Sequence, residues 1–530
     1  MGNMHNLLSK LIYIINNKIL LCILLLVVSY LSFYKNILNG ADEYFFRGFQ
    51  HDSEALVLAN AFKDQIGISH NFSYLGFASM TGANGINYVI QSYIFTEKTK
   101  EKVSDIPIVK YENKTEKADD CGIFVDKIHY RKLISAIGYQ IVIGNESRFI
   151  KEVVIDGDLV KISYYGEALP QEENSKLSIN YASFGKQYIN TSEYTSQYGV
   201  QGKIASFLFN KLNLSVKTIQ EINVLIFSFV ILGITYLFNR IFSKALAVCF
   251  FISIVFSPWI ISFARNLYWI EFSWFLPALF GWSLYIRTKK KERLILYFCI
   301  YLSCWFKCLS GYEYFSSVLL LAAAPFFYSC LMSNTKNEFF KNLSVIIKIG
   351  LVGTLGFISA IIMHAYLRSG GDITDGLSTI WHQDVLRRTF GGNAKNFDPL
   401  VAASLEASHI TVLKKYITEW HTEVIRIPIL KILSFKELLI LSITFVFLEL
   451  SRGDLIESRK NATLLIVFCI PAISWYLLGK AHSYVHTHMN YVLWYMGGVA
   501  IMVYIIFKET VLHIKLYKTL HILNIKRLNH

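Results

Sequence analysis

The chain reads as an all-α polytopic membrane protein of about ten transmembrane helices, with a small β-rich insertion in the first outer loop. Three observations predict this. Hydrophobic residues make up 53% of the 530 positions and charged residues only 17%, a balance few soluble chains of this length show. The apolar residues come in runs of about 20, the length a helix needs to cross the hydrocarbon core. The basic residues collect in alternate connections, which gives all the spans one consistent orientation.

The runs fall at 18–35, 222–239, 243–262, 269–286, 294–308, 314–332, 344–366, 435–450, 461–478 and 489–507. Lys10 and Lys18 precede the first, and Arg240 and Lys244 separate the second from the third. Arg287, Lys289, Lys290, Lys291 and Arg293 lie between the fourth and fifth. Lys336 and Lys341 follow the sixth, and Arg452, Arg459 and Lys460 the eighth. The tail carries Lys508, Lys515, Lys518, Lys526 and Arg527. Ten spans with both termini in the cytoplasm put all of these on one side. The formal charge of +14 is thereby a matter of topology, and no nucleic-acid partner is expected. The first run lacks a small-residue cleavage site and reads as an anchor.

Five regions follow. Residues 1–35 hold a cytoplasmic N-terminus and the first span. Residues 36–221 form a periplasmic loop with surface helices and the β-rich insertion. Residues 222–366 hold spans two to seven, 367–434 a second periplasmic loop, and 435–530 spans eight to ten with the basic cytoplasmic tail. In the first loop, Ala55, Leu56, Leu58, Ala59 and Phe62 give residues 52–66 an apolar helical face. Residues 139–165 alternate apolar and polar around Asp156-Gly157, a hairpin turn signal. From Gln197, Ala205, Phe207, Leu208 and Leu212 predict a second helix along the membrane surface. The charged stretch 97–120 reads as loop. Seven of the eight cysteines lie in apolar runs and only Cys121 in the insertion, so the insertion has no internal disulfide. Cys304 and Cys308 read as packing residues.

Five groups of residues can carry chemistry. The first is acidic and follows the first span: Asp42, Glu43, Asp52 and Glu54, with His51 among them. A carboxylate held at a membrane surface suits the removal of a proton from an acceptor hydroxyl. Asp52 opens a helix and is the leading choice, with Asp42 and Glu54 beside it; the competing reading makes Asp52 only an N-cap. The second is SPWIISFARNLYWIEF, where Arg265 and Glu271 flank a very short turn. They either pair with each other or bind substrate, Arg265 a phosphate and Glu271 a hydroxyl. Tyr268 and Trp269 read as interfacial aromatics.

The third group is Lys307 and Glu313 around another short turn, with Lys307 either neutralising a phosphate or snorkelling. The fourth is the last outer turn, where His482, His486 and His488 lie near Lys480. His482 and His486, at i, i+4, could hold a metal, but in a stretch with no nearby acid the histidines either bind a phosphate or sugar hydroxyl or are structural, and no metal site is assigned. The fifth is WHQDVLRRTFGG, where His382, Asp384, Arg387 and Arg388 either read an acceptor or form a solvated loop. Walker, GxGxxG and HExxH patterns are absent.

This layout resembles the GT-C superfamily of multi-span glycosyltransferases. One span leads into an outer loop that opens with acids and a surface helix; a second surface helix and short-looped spans follow. HDSEALVLANAF is similar to the first-loop acid-plus-helix element. SPWIISFARNLYWIEF is similar to the Pro-then-Arg-then-acid stretch of the polyprenyl-phosphate mannosyltransferase-like branch. The resemblance implies a base at Asp52 or Asp42, inversion at the anomeric carbon and a polyprenyl-phosphate sugar donor. Two departures stand out: Ser53 separates Asp52 from Glu54, and the β-rich insertion has no counterpart.

The expectation is a hexosyltransferase of the bacterial inner membrane with its site facing the periplasm. It would move sugar to a glycan or lipid acceptor of the cell envelope, as in O-antigen modification of lipopolysaccharide. No cofactor is required, and a divalent cation stays open. The rival enzyme is an O-antigen-type polymerase or ligase on lipid pyrophosphate-linked glycans, which Arg387 and Arg388 keep in view. A transporter of lipid-linked oligosaccharide would favour charges within spans and two repeated halves, and neither is evident.

Overall fold

A computed structural model describes residues 17–80, 103–112, 121–134, 136–171, 174–389, 393–396, 399–418, 423–427 and 433–528. They form two compact units. One comprises the helical part, from the N-terminus to Phe49, Ile222–Tyr366 and Asp372 onward. The other comprises Gln50–Glu221 with Leu367–Gly371.

The helices used below are, in chain order, α1 (Lys18–Lys35), α2 (Glu43–Gly48), α3 (His51–Gln65), α4 (Val200–Asn210), α5 (Val216–Ile241), α6 (Lys244–Val255), α7 (Pro258–Ala264), α8 (Phe272–Ile286), α9 (Lys290–Ser310), α10 (Phe315–Met332) and α11 (Lys336–Arg368). They continue with α12 (Ile373–Ile380), α13 (Pro399–Glu406), α14 (His409–Thr418), α15 (Phe435–Ser451), α16 (Leu455–Leu478), α17 (Lys480–Val485), α18 (Thr487–Asn490) and α19 (Gly498–Leu528).

Six of these, α1, α5, α9, α10, α11 and α16, are long and apolar enough to cross a membrane. The expected spans at 243–262 and 489–507 are each broken. α6 and α7 meet at 63°, and the helical stretch Thr487–Tyr495 meets α19 at 58°, so up to eight crossings are present if each bent pair counts as one. The cause of the first break is Ser257-Pro258, where the Ser257 hydroxyl caps the new helix and Pro258 takes its first turn. α8 has 15 residues and α15 has 17, short of a full span. Several helices of crossing length make this a multi-pass membrane protein.

Three of the helices interlock through polar contacts that apolar sequence hides. Trp282 of α8 donates to Leu321 O at 2.7 Å, and Ser317 of α10 donates to Pro471 O at 2.6 Å. Pro471 lies inside α16, and Ser317 sits against its carbonyl, a polar contact in a region where water is absent. Gly281 packs so closely on α10 that a Cβ there would overlap Ala322 O.

α15, α16 and α19 are joined by a partly buried ionic network in which Glu449 and Glu509 are buried. Lys508 bridges Glu449 and Glu457 at 2.8 Å each, Asn461 donates to both oxygens of Glu449, and Arg452 pairs with Glu509 at 2.6 Å. Of these residues only the cations Arg452 and Lys508 stand out in the sequence, as loop and tail residues, and their acidic partners do not.

The second unit is the α/β one. A seven-stranded antiparallel sheet runs in the order β2-β8-β5-β6-β7-β4-β3, and β1 pairs with β9. The strands are β1 (Gly76–Met80), β2 (Ile106–Pro107), β3 (Lys110–Glu112), β4 (Gly122–Asp126), β5 (Tyr139–Ile143), β6 (Glu146–Asp156), β7 (Leu159–Tyr164), β8 (Lys176–Phe184) and β9 (Ile189–Glu193). The β-rich insertion is thus present and larger than 139–165. β2 and β3 fall inside the stretch expected as loop, because each needs only a few hydrogen bonds at a sheet edge; most of 97–120 lies outside the described residues. Asp156 pairs with Leu159, so the hairpin loop is Gly157-Asp158, one residue later than the sequence signal, with Gly157 at φ 62°.

α3 packs against α4 and β1. Asn60 donates to Gly202 O, and a Cβ at Gly202 would overlap Tyr74 O, so only glycine fits this crossing. α4 begins at Val200; it buries Ala205 and leaves Phe207, like Leu212 just beyond its end, exposed. Glu193 closes the unit by accepting the amides of Asn71, Phe72 and Ser73 and an ion pair from buried Lys63. Burial pushes its carboxyl up, but the amides of Asn71 and Phe72 and the Lys63 ammonium outweigh that and hold it below the ordinary value.

Glu193→Gln is therefore expected to cost this unit about 1–3 kcal/mol. The depressed pKa means the contribution is full above the unfolded carboxylate value and is lost as pH falls through the folded one. Protease resistance of residues 50–221 in the full chain, followed from neutral to acid pH, reads both effects.

Candidate functional site

In the helical unit three short turns converge with the segment 381–389. Each turn follows from local sequence. The first, 265–271, links α7 to α8. Arg265 ends α7 and is committed to α2, donating to Phe46 O at 2.8 Å with its guanidinium over the Phe46 ring. The expected Arg265–Glu271 pair does not form. Glu271 is 0% exposed, and neither carboxylate oxygen has a hydrogen-bond partner. It stands where a side chain would cap the first amides of α8, yet it accepts from none. Ile270, immediately before it, has φ 35°, a value a β-branched residue adopts only under constraint.

The second turn, 311–314, joins α9 to α10. Lys307 is buried and donates to Gly311 O at 2.6 Å, so its charge closes the turn. Gly311 and Tyr314 both take positive φ, which turns the chain back within three residues. The Tyr312 hydroxyl meets His364 Nδ1 of α11 at 3.0 Å, and Tyr314 donates to Asn490 at 2.7 Å. Glu313 pairs at 3.8 Å with Arg388.

The third turn is α17 and α18. Lys480 donates to the carbonyls of Leu405 and Ala407, both at 2.6 Å, and thereby ties α17 to the end of α13. His482 lies beside His486, whose ring lies 5.9 Å from that of His488. Burial holds the His482 imidazolium well below its ordinary pKa, with His486, Arg388, Arg387 and His488 adding repulsion. Ala481 N donates to Thr389 O at 3.2 Å, which brings Arg387 and Arg388 to the histidines. Among the described residues Arg387 makes no hydrogen bond or ion pair. His382, by contrast, is exposed and bonded to Ser378 O. Asp384 is buried.

Aromatic rings join the turns. Trp269 stacks toward Tyr314 at 6.2 Å, Trp274 meets Tyr314 at 5.1 Å, and Trp475 lies 5.6 Å from Tyr314 and 5.7 Å from His482. The indole nitrogens of Trp269 and Trp475 and the Ser273 hydroxyl also lack partners. Tyr314, Trp475, His364 and Asn490 are site residues the sequence did not single out. An aromatic or Asn inside an apolar run looks like span or belt, and only the tertiary pairing of Tyr314 with Asn490 gives them meaning.

The first-loop acids are placed differently. Asp42 is exposed and caps α2, accepting from Tyr44 N and Phe45 N. Glu54 accepts from Gln220 at 2.9 Å. Asp52 is not an N-cap. Gln50, in the left-handed region, starts α3, so Asp52 falls in the first turn, exposed and without a capping bond. Its acidity still favours a helix N-terminus through the macrodipole.

Among the described residues no three His, Cys, Asp or Glu side chains converge as a metal would need. The chain matches no known family, no characterised protein and no solved structure.

α8, which follows Glu271, packs closely on α10. Gly281→Ala is expected to force these helices apart and cost about 1–3 kcal/mol, read as a lowered apparent melting temperature of the purified protein.

Proposed function

We propose that the protein is a glycosyltransferase of the bacterial inner membrane, GT-C-like in layout, that moves a sugar from a polyprenyl-phosphate carrier to a cell-envelope glycan or lipid. One observation carries the reading. Arg387, without a counter-ion among the described residues, stands with Arg388 against the histidines at one end of a membrane bundle. A phosphate dianion fits such a cluster, because it supplies the missing charge and makes each histidine easier to protonate. Arg387 is the group that would hold the leaving polyprenyl phosphate, and the unpartnered indoles and Glu271 line the side where a sugar would lie. Lys307 and Lys480, both bound to backbone carbonyls, position the turns.

Ten crossings with both termini in the cytoplasm complete this reading, with α8 and α15 as short spans and the converging turns facing the periplasm. Donor and acceptor enter from the bilayer and the periplasm. No cofactor is required by direct displacement, and a divalent ion would act only on the phosphate. The paired arginines also favour a second reading, a polymerase or ligase that uses lipid pyrophosphate-linked glycans.

The test is transfer of radiolabelled sugar from a panel of polyprenyl-phosphate sugars in membranes. Wild type is expected to transfer from at least one donor, and Arg387→Ala to lower kcat/KM by about 100-fold. Well-folded protein that uses only pyrophosphate-linked glycans would move the assignment to the polymerase or ligase.

A further inference from the structure

A displacement of this kind needs a group to take the proton from the acceptor hydroxyl. The acidic residues near the first span are each otherwise placed. Asp42 spends its acceptor capacity on two helix amides, Glu54 accepts from Gln220, and Asp52 is open to bulk water. Glu271 differs from all three. It is fully buried, both oxygens lack a donor, and two turns with positive-φ residues, Ile270 and Tyr314, hold the place where it sits. Strain that survives in a folded protein is held by its surroundings, and here it accompanies an unpartnered carboxyl.

We infer that Glu271 is the catalytic base, accepting the proton of the acceptor hydroxyl during sugar transfer. The inference rests on the glycosyltransferase reading. In the step, the acceptor O–H bond breaks and its proton passes to a Glu271 oxygen. The freed electron pair forms the bond from the acceptor oxygen to the anomeric carbon. The bond from that carbon to the phosphate oxygen breaks, and its electron pair leaves with the polyprenyl phosphate. Water then takes the proton from Glu271. The acceptor hydroxyl supplies the hydrogen bond the carboxylate lacks at rest.

The surrounding groups leave Glu271 as the fit base. On neighbouring elements the titratable or charged side chains are Tyr314 and Glu313 at the head of α10, Lys307 and Cys308 on α9, Arg265 at the end of α7, and His482 on α17. Tyr314 is bonded to Asn490, Glu313 to Arg388, Lys307 to Gly311 O and Arg265 to Phe46 O. His482 is held as a weak base by burial. Glu271 directly precedes α8, fully buried with no donor on either carboxyl oxygen among the described residues, so an acceptor hydroxyl there would meet an unsatisfied proton acceptor.

The experiment uses the full chain in membranes with the donor found by the transfer assay. Glu271→Gln is expected to lower kcat by about 100- to 10,000-fold with the donor KM within a few-fold. Glu271→Asp should retain part of the rate. The rate of wild type should rise with pH along an acid limb that Glu271→Asp keeps and Glu271→Gln loses. Asp52→Asn and Asp42→Asn should keep both the rate and the limb. Glu271→Gln within about threefold of wild type, or loss of the limb in Asp52→Asn, overturns the inference while the transferase reading stands. If Glu271→Gln does not fold, the limb and residual rate of Glu271→Asp decide, and an unchanged limb with wild-type rate counts against the base. Wild type that transfers from no donor brings down both readings.

Discussion

A polar group carried into an apolar helical bundle must find its partner there, because no water waits to receive it. Most of this unit obeys that constraint. Trp282, Ser317, Tyr314 and Tyr476 reach carbonyls or amides across helices, and Asn461 answers Glu449. Lysines that look like phosphate ligands in sequence, Lys307 and Lys480, are drawn to backbone carbonyls by the same demand. Glu271 departs from it beside a constrained Ile270, as do the indole nitrogens of Trp269 and Trp475 and the Ser273 hydroxyl, none of which has a hydrogen-bond partner among the described residues.

The charge pattern divides along the same line. Cations near the turns either close structure, as Arg265 does on Phe46 O, or stand by the histidines, as Arg387 does. Two residues side by side in one helix-like segment therefore take different parts: Arg388 answers Glu313, while Arg387 remains available to an anion. Burial, which holds the His482 imidazolium well below its ordinary pKa, suits such a place, since an uncharged ring does not repel the arginines.

Much of the fold was legible because apolar runs report burial in lipid directly. The spans at 18–35, 222–239, 294–308, 314–332, 344–366 and 461–478 each correspond to a long helix. The same signal overstated 243–262 and 489–507, since hydropathy does not register a bend: Ser257-Pro258 breaks the first, and Met496 and Gly497 separate the helices of the second. The alternation at 139–165 found the central hairpin. It missed β2 and β3, because edge strands of two or three residues carry no period of their own. The site was half visible. Glu271, Glu313 and the histidines show as ionisable residues at span ends and Arg387 as a charge of the second outer loop, whereas Tyr314, Trp475 and Asn490 acquire meaning only once α10, α16 and α18 meet. Asp52 does open α3 within its first turn, but two residues past the cap, since Gln50 takes that position without a capping side chain and nothing in residue type announces that.

The network of Lys508, Glu449, Glu457, Arg452 and Glu509 has a mechanical consequence. It fastens α15, α16 and α19 at the rim away from the three turns, where buried opposite charges resist separation. A helix held at one rim swings about that rim. Any widening of this bundle is then largest at the turns and smallest at the charged rim, so the turn end can spread like a fan while the charged end stays closed.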